Sequence, residues 1–219
     1  MQSLEGVNKK LIGVFGGTFD PAHKGHLKVV SYLLDNLPFN EIRVIPCGIP
    51  SHRNYICSAA NRLKMVELTF KDQNKVVIDD REITRDGYSY SIDTVHNLKK
   101  ELEDNTSLVW IMGEDVFHKI DSWHRWEEFL NEINILIITR PRNTLDNKSF
   151  SNKIIKKRGT KDIRDLSEIE KGEIFLFPTP LINISSSQIR DKIKEGTSIG
   201  TLVFKDVAKF ININNLYGN

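Results

Sequence analysis

The sequence predicts an α/β fold built on a doubly wound, mostly parallel sheet. Short β-branched runs recur between longer segments with helical periodicity along its 219 residues. The runs are almost continuously apolar rather than alternating, as expected for strands that are covered on both faces. Strands that alternate with helices are joined by crossover connections, and such connections make neighbouring strands parallel.

Six candidate strands and four candidate helices follow from this pattern. In the segment Ser91–Glu103, Ile92, Val95 and Leu98 recur at a spacing of three, which places them on one helix face. Ligands of such sheets bind beyond the carboxyl ends of the strands, so the loops after strands one, two and four are of most interest. The strands are Leu11–Phe15, Ile42–Pro46, Lys75–Asp79, Leu108–Met112, Ile133–Thr139 and Glu173–Phe177, and the helices are Lys24–Leu37, Ala59–Lys71, Ser91–Glu103 and Trp123–Asn131.

Composition excludes several classes of protein. With 31 Lys+Arg against 29 Asp+Glu, the net charge of +2 gives no general attraction to nucleic acids or membranes. Cys47 and Cys57 do not form a C-x-x-C pair, so a disulfide framework or a thiolate zinc site is not expected. The apolar stretches Leu11–Phe15 and Ile133–Ile138 are too short for a signal sequence or a membrane span. We expect a cytoplasmic protein without nucleic-acid or membrane partners.

One segment, Lys148–Lys171, is biased in charge, with eight Lys or Arg against four acids. We interpret it as a solvated and mobile helical excursion between strands five and six. The alternative is a polyanion-binding patch, but the segment lacks the series of aromatic side chains that single-strand binders use.

The most informative motif lies between the first strand and the first helix. Gly16 and Gly17 follow the strand directly, and their backbone can approach a ligand closely. The helix that begins just afterwards adds amides and a dipole that favour a phosphate. His23 and His26 are three residues apart, so both imidazoles can lie on one face, and Gly25 keeps that face open.

The loop also has other interpretations. It contains neither the G-x-G-x-x-G dinucleotide pattern nor the Gly-Lys-Ser/Thr ending of a Walker loop. His23 and His26 could bind a metal, but no ligand is evident beyond Asp20. A tight turn that carries two surface histidines is the simplest alternative. The full string from Gly16 to His26 is more specific than its H-x-G-H part.

With this motif, the chain resembles the H-x-G-H nucleotidyltransferases, and within them the bacterial nicotinate-nucleotide adenylyltransferases. The resemblance runs from about residue 11 to 217 in the order of the family's motifs. Ser51, Ser91, Ser187 and Glu114 depart from the usual residues. The similar segments are Pro50-Ser51-His52-Arg53, Asp80-Arg81-Glu82, Arg85 to Thr94, Gly113-Glu114-Asp115 with Trp123 and Trp126, Arg140-Pro141, Ile184 to Arg190, and Leu216-Tyr217.

The resemblance implies a fold and a reaction. The fold is a Rossmann-like nucleotidyltransferase domain over residues 1–219, with an α/β core (10–182) and a C-terminal part (183–219) that holds a phosphate-binding helix and a terminal helix. The reaction transfers AMP from ATP to nicotinate mononucleotide, giving deamido-NAD and pyrophosphate in NAD biosynthesis. Mg²⁺ would be carried mainly by the ATP phosphates, without a dedicated metal site.

The resemblance also assigns residues to three groups. The ordinary interpretation of Ser185–Ser187 alone is a helix cap before Gln188–Lys194. His96, His118 and His124 show no triad or ligand spacing and are expected on the surface or in packing. The implied catalytic residues are His23, His26 and Arg190; those for ATP are Gly16, Gly17, Thr18, Phe19, Ser185, Ser186, Ser187, Gly113 and Asp115; those for nicotinate mononucleotide are His52, Arg53, Ser91 and Trp123.

Two alternatives to this function remain at this stage. One is an adenylyltransferase or cytidylyltransferase for another small acceptor, such as nicotinamide mononucleotide or a phosphopantetheine. The other is a non-catalytic nucleotide sensor on the same fold, against which intact His23, His26 and Arg190 count. An aminoacyl-tRNA synthetase would need a lysine-rich second signature and greater length.

Overall fold

The computed structural model describes residues 9–51, 57–139, 149–168, 171–180 and 182–218. Its strands form one seven-stranded sheet in which every neighbouring pair is parallel, which confirms the predicted fold class. The strands are β1 (Lys10–Gly17), β2 (Glu41–Pro46), β3 (Val76–Ile78), β4 (Thr106–Gly113), β5 (Asn134–Thr139), β6 (Gly159–Thr160) and β7 (Ile174–Pro178). Their order across the sheet is β3-β2-β1-β4-β5-β7-β6.

Helices cover both faces of this sheet. They are α1 (Lys24–Asn36), α2 (Ala59–Phe70), α3 (Arg81–Thr84), α4 (Ser91–Glu101), α5 (Glu114–Phe117), α6 (Trp126–Glu132), α7 (Phe150–Arg158), α8 (Asp165–Glu168), α9 (Ser186–Lys194) and α10 (Lys205–Ile213). Among these helices, none has both the length and the apolar composition needed to cross a membrane.

Two hydrophobic cores lie on opposite sides of the sheet. Neighbouring residues of one strand point to different cores: Leu11 packs with α1, α2 and α10, whereas Ile12 packs with α4 and α6. In β4, Val109 and Ile111 likewise belong to the first core and Trp110 to the second. Burial on both faces explains why the strands are almost continuously apolar in sequence.

Two predictions about local structure were wrong. The helix expected to begin at Trp123 begins at Trp126, because Ile120–Ser122 forms a 3-10 turn and Arg125 adopts a left-handed φ of 53°. The segment Lys148–Lys171 is not solvated throughout, since Ile155 and Leu166 in its described part are buried against the sheet.

Candidate active site

A cleft of about 690 Å³ opens at the carboxyl ends of β1 and β4. These adjacent strands are where the strand order reverses direction, because β2 and β3 lie on one side and β5 to β7 on the other. Such a switch point separates the connecting loops and leaves a crevice for a ligand. Gly16 and Gly17 of β1 and Gly113 of β4 line the cleft.

Close packing against a rigid ring requires glycine at position 16, whereas at Gly113 the neighbouring atom belongs to a flexible side chain. A Cβ atom on Gly16 would lie 2.9 Å from the indole ring of Trp110, and one on Gly113 would lie 2.7 Å from Oδ1 of Asp115. Thr18 and Phe19, which follow Gly17 in the first loop, also line the cleft. Phe19 holds a left-handed φ of 52°, which is unusual for a bulky side chain and typical of strained segments at functional sites.

The two histidines form one stacked unit at the beginning of α1. Their ring centroids are 3.6 Å apart with an interplanar angle of 18°. The backbone N–H of His23 donates to Nδ1 of His26 at 3.2 Å, so a neutral His26 ring carries its proton on Nε2. A Cβ atom on Gly25 would come within 2.9 Å of the His23 ring, which shows how closely that ring lies on the helix.

Burial keeps both imidazoles neutral in the free protein. Desolvation lowers the pKa of His23 from 6.5 to about 4. Burial, and secondarily the proximity of His23, lowers the pKa of His26 well below its usual value. Nδ1 of His23 is buried and makes no hydrogen bond within the described part of the chain. A polar atom of this kind is costly unless something pairs with it, which is consistent with a ligand at this point.

The amino end of α9 closes the same loop from the C-terminal part. Oγ of Ser186 donates to the Pro21 carbonyl at 2.9 Å, and Nη1 of Arg190 donates to the Asp20 carbonyl at 2.7 Å. Both side chains line the cleft. Ser185 caps the helix, since its Oγ accepts from the Gln188 N–H at 3.2 Å.

Not every predicted serine lies in the cleft. Ser185 and Ser187 are exposed and are absent from its lining, and their hydroxyl oxygens are 3.1 Å apart. The cap interpretation therefore accounts for Ser185, whereas Ser186 and Arg190 carry the contact with the first loop.

The other wall of the cleft contains Ser91 at the start of α4 and Trp123. The Trp123 ring packs against Phe129, with ring centroids 5.3 Å apart, and edge-on against Trp110. Trp126 instead contacts Phe150 and is not part of the lining. His52, Arg53 and the Arg140-Pro141 pair lie outside the described residues.

Comparisons with known proteins identify the family of this chain. A cytidylyltransferase-like family model matches residues 14–192. A Pseudomonas fluorescens protein named "Probable nicotinate-nucleotide adenylyltransferase" is 35% identical over 209 residues, covering 95% of this chain and 97% of its own. A Yersinia enterocolitica protein of the same name is 35% identical over 212 residues, covering 95% of this chain and 96% of its own. The chain belongs to the nicotinate-nucleotide adenylyltransferase family.

A solved structure supports the fold of this adenylyltransferase-family chain. The Plasmodium falciparum nicotinic acid mononucleotide adenylyltransferase complexed with NaAD aligns with a TM-score of 0.72 at 22% identity. The alignment covers 95% of this chain and 97% of the other. The predicted resemblance to nucleotidyltransferases is confirmed, both in family and in fold.

Sequence reasoning did not predict the contacts that several residues make in or beneath the cleft. His124, expected on the surface, is exposed but also lines the cleft, where its ring stacks on Tyr90 at 4.1 Å. In the sequence, the only indication was that Tyr90 is adjacent to Ser91 and His124 is adjacent to Trp123. Tyr217 donates to Oδ1 of Asp20 at 2.6 Å from 197 positions away.

Arg62 was also missed. It is fully buried in α2 beneath the cleft and hydrogen-bonds to loop carbonyls. No local sequence pattern identifies such a contact, because an arginine in a helix is ordinarily exposed.

Proposed function

We propose that the chain transfers the AMP moiety of ATP to nicotinate mononucleotide, with release of pyrophosphate and formation of deamido-NAD, a step of NAD biosynthesis. The observation that carries the proposal is the neutral, stacked pair of His23 and His26 at the start of α1. His26 and Arg190 line the cleft, and His23 is not in the lining but stacks directly on the His26 ring. The names and the coverage of the relatives support the same reaction.

The reaction needs no general base. A phosphate oxygen of the acceptor attacks the α-phosphorus of ATP, and a P–O bond forms as the bond to the bridging oxygen of pyrophosphate breaks. The bridging oxygen keeps the electron pair and leaves with the β- and γ-phosphates. The acceptor phosphate is already largely dianionic at neutral pH, because its second pKa is about 6. Positioning and stabilisation of charge are what the protein must supply.

On the ATP side, the first loop and the two helix starts supply these donors. Neutral His26 can donate a hydrogen bond from Nε2. Nδ1 of the His23 ring has no hydrogen-bond partner among the described residues. Donors that are held in place before charge develops stabilise the crowded phosphorus of the transition state. The Phe19 amide and the Arg190 guanidinium would complete the contacts with the triphosphate.

On the acceptor side, Trp123 offers a flat aromatic face to the cationic pyridine ring. Ser91, at the first position of α4, would lie near the nicotinate carboxylate, where helix amides favour an anion. We also assign His52 and Arg53 to the acceptor phosphate, as the family resemblance implies. Gly113 and Asp115 are assigned to the ATP side.

Mg²⁺ is proposed as a companion of ATP. Within the described residues no three His, Cys, Asp or Glu side chains come together as a metal cage. The cleft does contain carboxylates of Asp20 and Asp115, and a hard cation that keeps most of its waters fits this sparse oxygen set. When bound, the ion would offset the charge of the phosphates. A reducing, cytoplasmic setting is part of the proposal, and both Cys47 and Cys57 are free thiols.

The experiment that tests the function measures pyrophosphate release from Mg·ATP with nicotinate mononucleotide and nicotinamide mononucleotide in parallel. The proposal expects turnover with the acid and a clear preference for it over the amide. Release with the amide alone would assign a different acceptor. No release with either, from a protein that binds ATP, would indicate the nucleotide sensor instead.

A further inference from the structure

The side chain of Arg62 donates hydrogen bonds to the loops after both β1 and β2. It lies in α2, one turn after the helix cap Ser58, and its side chain is fully buried. Nη1 donates to the Thr18 carbonyl at 2.9 Å and to the Cys47 carbonyl at 2.5 Å, and Nη2 donates to the Gly48 carbonyl at 2.7 Å.

These contacts reach both sides of the cleft. Thr18 belongs to the loop that carries the proposed ATP contacts, and Cys47 lines the cleft in the loop after β2. The N–H of Gly48 donates to Oγ of Ser89, which lines the acceptor side two residues before Ser91. A single guanidinium group therefore lies at the point where the supports of the two substrates meet.

The contact with Thr18 also orients an amide. The peptide bond between Thr18 and Phe19 is trans, so its C=O and N–H point in opposite directions. Because the carbonyl points to Arg62 in the interior, the Phe19 N–H points away from the interior. Phe19 holds its left-handed φ of 52° in this arrangement. Without the guanidinium, the carbonyl would be buried without this donor, and a rotated peptide would withdraw the amide from the cleft.

The loop after β2 has little freedom to compensate. A Cβ atom on Gly48 would lie 2.0 Å from the Glu82 carbonyl oxygen, so the backbone of α3 packs directly on this loop. An arginine suits the site because its planar fork presents five N–H donors, so that Nη1 serves the Thr18 and Cys47 carbonyls while Nη2 serves that of Gly48. A lysine has a single nitrogen on a shorter side chain and lacks the second nitrogen that contacts Gly48.

We propose that Arg62 is a positioning residue for the reaction: it holds the loops after β1 and β2 in register, so that the acceptor phosphate and the α-phosphorus of ATP meet in line. This inference rests on the proposed function. It assigns to Arg62 no contact with either substrate, and its effect passes through the backbone of Thr18, Cys47 and Gly48.

The test compares Arg62→Met and Arg62→Lys with Arg158→Met as a matched control. Arg158 also donates from its guanidinium to a backbone carbonyl, that of Leu130 at 2.7 Å, but it is not part of the cleft. Thermal unfolding, kcat and the KM of each substrate are measured for all variants, below the unfolding temperature of the least stable one.

We expect Arg62→Met to lower kcat at least tenfold and to raise the KM of both ATP and nicotinate mononucleotide. Arg62→Lys is expected to fold and to lose several-fold in kcat, and it carries the test if Arg62→Met does not fold. Arg158→Met should lower the unfolding temperature while kcat and both KM values stay within twofold of the wild type.

Two results would overturn the inference: an Arg62→Lys variant with wild-type kinetics, or kinetic losses that Arg158→Met reproduces at a similar loss of stability. If the wild-type protein releases no pyrophosphate with nicotinate mononucleotide, the result would instead contradict the proposed function. The two failures are therefore distinguishable.

Discussion

The two sides of the cleft are built differently. On the proposed ATP side, three backbone carbonyls of the first loop accept hydrogen bonds from distant side chains. The pairs are Thr18 with Arg62, Asp20 with Arg190 and Pro21 with Ser186. On the proposed acceptor side, the aromatic rings of Tyr90, Trp123 and His124 border the cleft, and Tyr88, next to the cleft-lining Ser89, is 56% exposed. Under the proposed function, this contrast corresponds to a preorganised triphosphate site beside a more adaptable acceptor site.

The largest expected effect comes from breaking the rigid side. His23→Ala removes one ring of the stacked pair and should lower kcat by about 100-fold or more, as the loss of a preorganised donor does elsewhere. Steady-state pyrophosphate release measures it. His96→Ala is the control, because His96 pairs with Glu128 outside the cleft and should leave kcat unchanged. Near-normal turnover of the His23 variant would remove that residue from the proposed phosphate contacts.

A smaller effect is expected on the adaptable side. Trp123→Ala removes a stacking face worth about 1 kcal/mol and should raise the KM of the acceptor about fivefold, with the KM of ATP unchanged. Trp126→Ala is the matched control, since Trp126 contacts Phe150 rather than the cleft. If neither variant changes the KM of the acceptor, Trp123 contributes to packing only. The difference drawn between the two sides of the cleft would then have less support.

The smallest expected effect is a change in the free energy of unfolding with pH. Because the pKa of His23 is about 4 in the folded chain and about 6.5 when unfolded, the unfolded state binds the additional proton between these values. The free energy of unfolding should therefore fall as pH is lowered through this window, and His23 should account for about 1 kcal/mol of the loss between pH 7 and 5.5. Its contribution is fully present above pH 6.5.

Denaturant unfolding of the wild type and of His23→Gln at both pH values measures this contribution. The variant should lose less stability than the wild type, because it lacks the buried imidazole. Equal losses in the two proteins would show that His23 is not buried in its neutral form, and the ATP side would then be less preorganised than described.

A feature of the fold or of the candidate site could be predicted from the sequence when it arises from residues that are close together along the chain. The loop from Gly16 to His26 carries its own signature, because glycines, helix start and histidines lie within eleven residues. The parallel sheet followed from strand composition. The start of α6 was mispredicted because the left-handed turn at Arg125 has no glycine or asparagine to indicate it.

The remaining features arise from tertiary contact. Nothing in α2 distinguishes Arg62 from an exposed helical arginine, and only the folded chain shows which carbonyls it reaches. His124 and Tyr90 belong to different loops that meet at the cleft, so no periodic pattern in the sequence predicts that their rings stack. In both cases the missing information is the distance between segments that are remote in sequence.

The bond from Tyr217 to Asp20 has a consequence for synthesis of the chain. The loop that holds Asp20 is translated early, but its buried partner is added 197 residues later. Because chains emerge from the ribosome amino end first, the sheet can assemble while this loop still lacks its anchor. This hydrogen bond can therefore form only after residue 217 has been translated, and ribosome-stalled chains that lack residue 217 would display a formed sheet in which Asp20 lacks this partner.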